Sequence, residues 1–105
     1  RIEAGLLRAN PRAVPLGPLL EGLVQQYEPL ALARGLSIAA VPTAAWAATD
    51  PALLRRVLQN FIANALRYTV SGGVRIGVRW RRDGWVAEVW DTGPGIAEAH
   101  RGLIF

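Results

Sequence analysis

The chain has 105 residues, a formal net charge of +4, 51% hydrophobic and 19% charged residues, which suits one folded domain and is too apolar for a disordered tail. Every basic residue is Arg, Cys is absent and there is 1 His, so a disulfide framework, a thiol nucleophile, a Cys-based zinc site and an all-His metal site are excluded. No run approaches the roughly 18 apolar residues of a membrane span and no signal-peptide pattern opens the chain, which points to a small soluble, intracellular domain.

Pro11, Pro15 and Pro18 forbid a long helix at the start of the chain. Ile2 to Arg8 reads as the last turns of a preceding helix, and Arg12 to Leu16 as an extended edge segment, where proline is tolerated. From Pro18 onward Leu19, Leu20, Leu23, Val24, Tyr27 and Leu30 fall at helical spacing, and Pro29 is expected to kink or break that helix before Gly35. Leu36 to Val41 and Ala44 to Thr49 read as short strands with Pro42 at the turn between them.

The next helix carries the clearest signal. Asp50 can cap its N-terminus and Pro51 suits its first position, where a missing N–H costs nothing. Leu54, Val57, Leu58, Phe61, Ile62 and Ala65 form one apolar stripe. At about 100° per residue, Arg56, Asn60, Asn64 and Arg67 gather on a different face. Ser71-Gly72-Gly73 is expected to stop the helix.

A β-hairpin follows. Val74, Ile76, Val78 and Trp80 alternate with Arg75, Gly77, Arg79 and Arg81; Asp83-Gly84 reads as a type I′ turn, and Trp85 to Trp90 as the return strand. These elements predict an α/β (α+β) two-layer sandwich, a mixed sheet with helices on one face. Arg79, Arg81 and Arg82 cluster beside the turn around Trp80. A charged, solvated strand edge accounts for them, and no nucleic-acid partner is expected.

Two groups of residues could carry chemistry. Asn60 and Asn64, one turn apart, are either two solvated amides or two neutral oxygen ligands converging on one point. Mg²⁺ held through nucleotide phosphates needs only one or two protein oxygens, and Arg67 on the same face could hold a phosphate. Asp91-Thr92-Gly93-Pro94-Gly95-Ile96, directly after a strand, is either ordinary turn chemistry or a ligand site. In the second reading Asp91 would accept a hydrogen bond from an exocyclic amine, and the glycines would let backbone approach a flat ligand.

Taken together, Asn60-Phe61-Ile62-Ala63-Asn64-Ala65-Leu66-Arg67-Tyr68-Thr69 and Asp91-Thr92-Gly93-Pro94-Gly95-Ile96 resemble the N box and first Gly-rich box of the ATP-binding domain of bacterial sensor histidine kinases. That domain has the Bergerat fold of the GHKL superfamily, shared with DNA gyrase and MutL. The resemblance covers about residues 18–105 and implies cofactors ATP and Mg²⁺. By position it makes Asn64 the Mg²⁺ ligand, with Asn60 beside it on the metal or phosphates, Arg67 near the phosphates and Tyr68 lining the pocket. Asp91 would recognise the adenine amino group; Gly93, Gly95 and Ile96 would shape the pocket.

The same resemblance implies a division at residue 10, with 1–10 the end of a dimerisation-domain helix or linker and 11–105 the N-terminal part of the ATP-binding domain. No phosphoacceptor helix is present; His100 reads as a surface residue, and no catalytic residue is expected within the chain. The ATP lid and second Gly-rich box are missing, which predicts weak nucleotide binding and no autophosphorylation by this chain alone. The implied partners are ATP, the parent's own dimerisation domain and a response regulator. Self-association, with Trp80, Trp85 or Trp90 at the contact, is a further expectation, against plain core packing of each Trp. The parent is expected in the cytoplasm or anchored in the inner membrane with this domain facing the cytosol. The alternatives are a non-catalytic interaction module that kept the fold and a serine kinase of the anti-sigma-factor type.

Overall fold

A computed structural model describes residues 10–82, 84–92 and 100–105, the side chains of 100–104 excepted. In chain order the elements are β1 (Arg12–Pro15), α1 (Leu16–Ala33), β2 (Ser37–Ala40), β3 (Trp46–Thr49), α2 (Pro51–Tyr68), β4 (Gly73–Arg81), β5 (Gly84–Asp91) and β6 (His100–Ile104). A four-stranded mixed sheet runs β2-β4-β5-β6, with β2 parallel to β4 and the other pairs antiparallel. β1 and β3 form a separate two-stranded antiparallel ribbon.

Residues directly opposite in neighbouring strands share a sheet face. Ile38, Val74 and Asp91 therefore line one row across β2, β4 and β5, and Ala40, Ile76 and Val89 the next. Val74, Ile76, Ala87 and Val89 are buried on that face, in one core with Leu16, Leu20 and Leu23 of α1 and Leu54, Leu58, Ile62 and Leu66 of α2. The helices thus cover one face of the sheet, as the sequence pattern predicts. Among the described residues no helix is long and apolar enough to cross a membrane.

Several local expectations are corrected. α1 starts at Leu16 and runs unbroken through Pro29 to Ala33. Pro29 is exposed, as is Gln25, so the carbonyl that loses its N–H partner is on the wet side of the helix. The helix then ends in a Schellman arrangement: Gly35, at φ 70°, donates to the Leu32 carbonyl and Leu36 to that of Ala31. Leu30, expected on the apolar stripe, is exposed, and Ala31 is buried instead.

β2 and β3 do not form a hairpin around Pro42, because each pairs with a strand of a different sheet. α2 stops at Tyr68, before the glycines. There the Thr69 hydroxyl donates to the Ala65 carbonyl at 2.6 Å and its N–H to the same oxygen at 2.9 Å, closing the last turn while Gly73 joins β4. The β4–β5 ladder closes on Arg81 opposite Gly84, so Gly84 belongs to the strand. Arg82 takes the positive φ of 56° that a two-residue hairpin loop requires at its first position, and Asp83 lies outside the described residues.

Trp80 is 57% exposed and packs edge-to-face on half-buried Trp85, ring centroids 5.2 Å apart. Half-buried Trp90 lies on the opposite sheet face, over Gly77. Trp85 packs against the core from the rim of the helix-covered face, as plain core packing would have it, whereas Trp80 and Trp90 are not part of the core. The sequence pattern does not predict β6; buried Phe105 extends its pairing by exchanging two 2.9 Å hydrogen bonds with Trp85.

Candidate nucleotide site

α2 owes its position to its start. The Asp50 carboxylate accepts hydrogen bonds from the N–H groups of Ala52 and Leu53 at 3.0 and 3.1 Å, which satisfies the helix donors that have no intrahelical partner. Leu54, Leu58, Ile62 and Leu66 repeat every four residues and face the core. The spacing of about 3.6 residues per turn then places Asn60, Asn64 and Arg67 on the far side of the helix. Asn60 and Arg67 are exposed and Asn64 is half-buried. Tyr68, at the end of the same helix, is 68% exposed.

The other half of the site is the end of β5. α2 leads through a four-residue connection into β4, whose first residues pair with the last of β5, so the final turn of α2 and Asp91 lie at one end of the sheet. Thr92 fixes that end: its N–H donates to the Gly73 carbonyl at 2.8 Å and its hydroxyl to the same oxygen at 3.3 Å. Asp91 is half-buried on the helix-covered face and makes no hydrogen bond or ion pair with any described residue.

Gly93, Gly95 and Ile96, and the His100 side chain, lie outside the described residues. One contact at this end was not legible in the sequence: Arg34, just past α1, donates to the Arg67 carbonyl at 3.1 Å. It satisfies one carbonyl at the C-terminus of α2, where a cation is also favoured by the helix dipole. Only its position after the apolar stripe of α1 could have hinted at it.

The donor set fits a metal bound with its nucleotide. Among the described residues no three His, Cys, Asp or Glu side chains stand together as a metal group. The side-chain amides of Asn60 and Asn64 carry neutral oxygens, and neither side chain is tied up in a hydrogen bond with the described residues. Neutral amides suit an ion whose charge the phosphates already balance.

A Bergerat-type two-layer sandwich with this N-box helix defines an ATP-binding class, and the comparisons place the chain within it. Residues 49–105 match the family model for histidine kinase-, DNA gyrase B- and HSP90-like ATPases. The chain belongs to that family. It is 32% identical over 112 aligned residues to the virulence sensor protein BvgS of Bordetella pertussis, covering all of this chain and 9% of BvgS. It superposes on full-length ShkA in complex with AMPPNP with a TM-score of 0.71 at 31% identity, covering 84% of this chain and 20% of that one. It also superposes on the Acinetobacter baumannii histidine kinase AdeS with a TM-score of 0.73 at 26% identity, over 89% of this chain and 47% of that one. The chain thus spans less than half the length of each of these relatives.

Proposed function

We propose that the chain is ATP-binding catalytic-domain sequence of a two-component sensor histidine kinase, holding Mg-ATP for phosphoryl transfer to a His on a separate dimerisation domain and from there to a response regulator. Residues 1–10 are the end of that dimerisation domain and 11–105 the ATP-binding part. The reading is supported by the family match over residues 49–105, and by the Asn60 and Asn64 amides and the Asp91 carboxylate, which make no side-chain hydrogen bond with any described residue. The ShkA relative, similar over most of this chain, was crystallised with an ATP analogue.

In this reading Asp91 accepts a hydrogen bond from the adenine amino group, and Tyr68 covers the base and ribose. Asn64 supplies an oxygen to Mg²⁺, Asn60 steadies the metal or the phosphates, and Arg67 binds a phosphate oxygen. Gly93, Gly95 and Ile96 shape the pocket. The metal, when bound, neutralises phosphate charge; the side chains bind and orient, since phosphoryl transfer relies on positioning and charge neutralisation.

Calorimetric titration with AMPPNP, with and without Mg²⁺, tests the assignment. The expected result is weak binding that strengthens with Mg²⁺ and loses that dependence in Asn64→Ala. Binding whose Mg²⁺ dependence survives both Asn60→Ala and Asn64→Ala would remove the amides from the site. No binding under any condition would remove the nucleotide from this chain's function.

A further inference from the structure

A groove of about 450 Å³ opens between the end of β1 and the first turns of α1 and α2, and none of its lining residues belongs to the candidate nucleotide site. Its walls are Val14, Pro15, Pro18, Leu19, Pro51 and Ala52, and among the described residues the one charged group lining it is Arg55. Proline has no N–H, so three of these wall residues offer no backbone donor and the groove suits an apolar side chain. Arg55 is half-buried, its guanidinium against Gly22 of α1, and it forms no hydrogen bond or ion pair with any described residue. The nearest carboxylate in sequence, Asp50, is occupied with the N–H groups of Ala52 and Leu53. Neither α1 nor α2 has an acidic residue in its first turn. Beside the groove, Trp46 is the register partner of Pro15 and is 62% exposed.

We propose that this groove docks a segment of a protein partner that presents a large apolar side chain next to a carboxylate, the apolar group seated among the prolines and the carboxylate on Arg55, with Trp46 covering one flank. A half-buried cation without a partner among the described residues is costly, and an anion that arrives with the ligand would match it. Trp and Arg are also the residue types that dominate binding at protein interfaces. An anionic bilayer is a poor match, since such recognition draws on clusters of about four to eight basic residues and this groove has one. The proposal does not depend on nucleotide binding.

The test is NMR titration of the ¹⁵N-labelled full chain with a synthetic peptide, Glu-Leu-Ala-Glu-Leu-Ala, and with its counterpart carrying Lys in place of Glu. The expected result is shifts at the amides of Leu19, Ala52 and Arg55 and at the Trp46 indole for the acidic peptide only. Affinity should fall at least tenfold in Arg55→Glu, which should instead take up the Lys peptide. Trp46→Ala, at an exposed position, should fall about tenfold with the fold intact. Absence of shifts, shifts elsewhere, or equal binding of both peptides would overturn the proposal. So would binding gained only after removal of residues 1–9, which would make the chain's own first residues the occupant.

Discussion

Val74 and Asp91 stand opposite each other across the β4–β5 ladder, so the carboxylate that ends β5 faces the same side as a fully buried core valine. A half-buried carboxylate on that face, without a partner among the described residues, suits a donor from a ligand. Asp91→Asn should weaken ATP binding about ten- to a hundredfold, the scale of one hydrogen bond to a charged group. It should also reduce discrimination between ATP and GTP while leaving the unfolding temperature nearly unchanged. Competition binding with both nucleotides measures this, and retained preference for ATP would take Asp91 out of base recognition.

Gly73 joins the site to the sheet. A Cβ there would meet the Ser37 side chain and lie 2.7 Å from the Ser37 backbone carbonyl oxygen, a neighbour that cannot rotate away. Gly73→Ala should cost about 1–3 kcal/mol through this overpacking. Because the Gly73 carbonyl also receives both Thr92 hydrogen bonds, ATP affinity should fall as well. Gly77→Ala is the contrasting case: its Cβ would approach only the Val41 and Trp90 side chains, at 3.3 Å or more, and should cost less than about 1 kcal/mol. Urea unfolding of both variants gives the comparison.

The parts of this fold that were legible in the sequence are those fixed by local chemistry. Asp50-Pro51 started α2, the four-residue repeat of Leu54, Leu58 and Ile62 set its buried face, and alternation from Val74 to Trp80 gave β4 its sides. What escaped depends on partners distant in sequence. Nothing local tells that β2 pairs with β4 while β3 pairs with β1, because both are short alanine-rich strands with little patterning. Asp83-Gly84, a strong local turn signal, puts the hairpin loop one residue too late, since the ladder closes on Arg81 and Gly84. On the candidate site, the motifs single out Asn60, Asn64 and Asp91 as candidates. The Thr92 and Arg34 contacts that brace them join residues 19 and 33 positions apart.

The cap of α2 should be measurable as stability. Asp50→Ala leaves the N–H groups of Ala52 and Leu53 without their acceptor and should cost about 1 kcal/mol, within a range of roughly 0.5–2. For a domain of this size that lowers Tm by about 4–8 °C. Asp50→Ser or Asp50→Asn should recover most of the loss, since a shorter or neutral side-chain oxygen still caps. Thermal unfolding of the three variants checks it, and a loss in Asp50→Asn equal to that in Asp50→Ala would mean the negative charge, and not the cap geometry, holds the helix.

Thr49 ends β3 directly before that cap and is fully buried, with a hydroxyl that has no hydrogen-bond partner among the described residues. Its methyl and its β-branched shape suit a buried strand position, whereas a buried hydroxyl left unpaired carries a desolvation cost. Thr49→Val keeps the shape and removes the orphan, so it should be neutral or stabilise the domain by up to about 1 kcal/mol. Thr49→Ser keeps the hydroxyl and deletes the methyl, and should destabilise by about 1 kcal/mol through lost burial. Opposite signs in chemical unfolding would locate the stabilisation in the methyl. Destabilisation of both variants would instead show that the hydroxyl holds an ordered buried water, one more polar link between the β1–β3 ribbon and the start of α2.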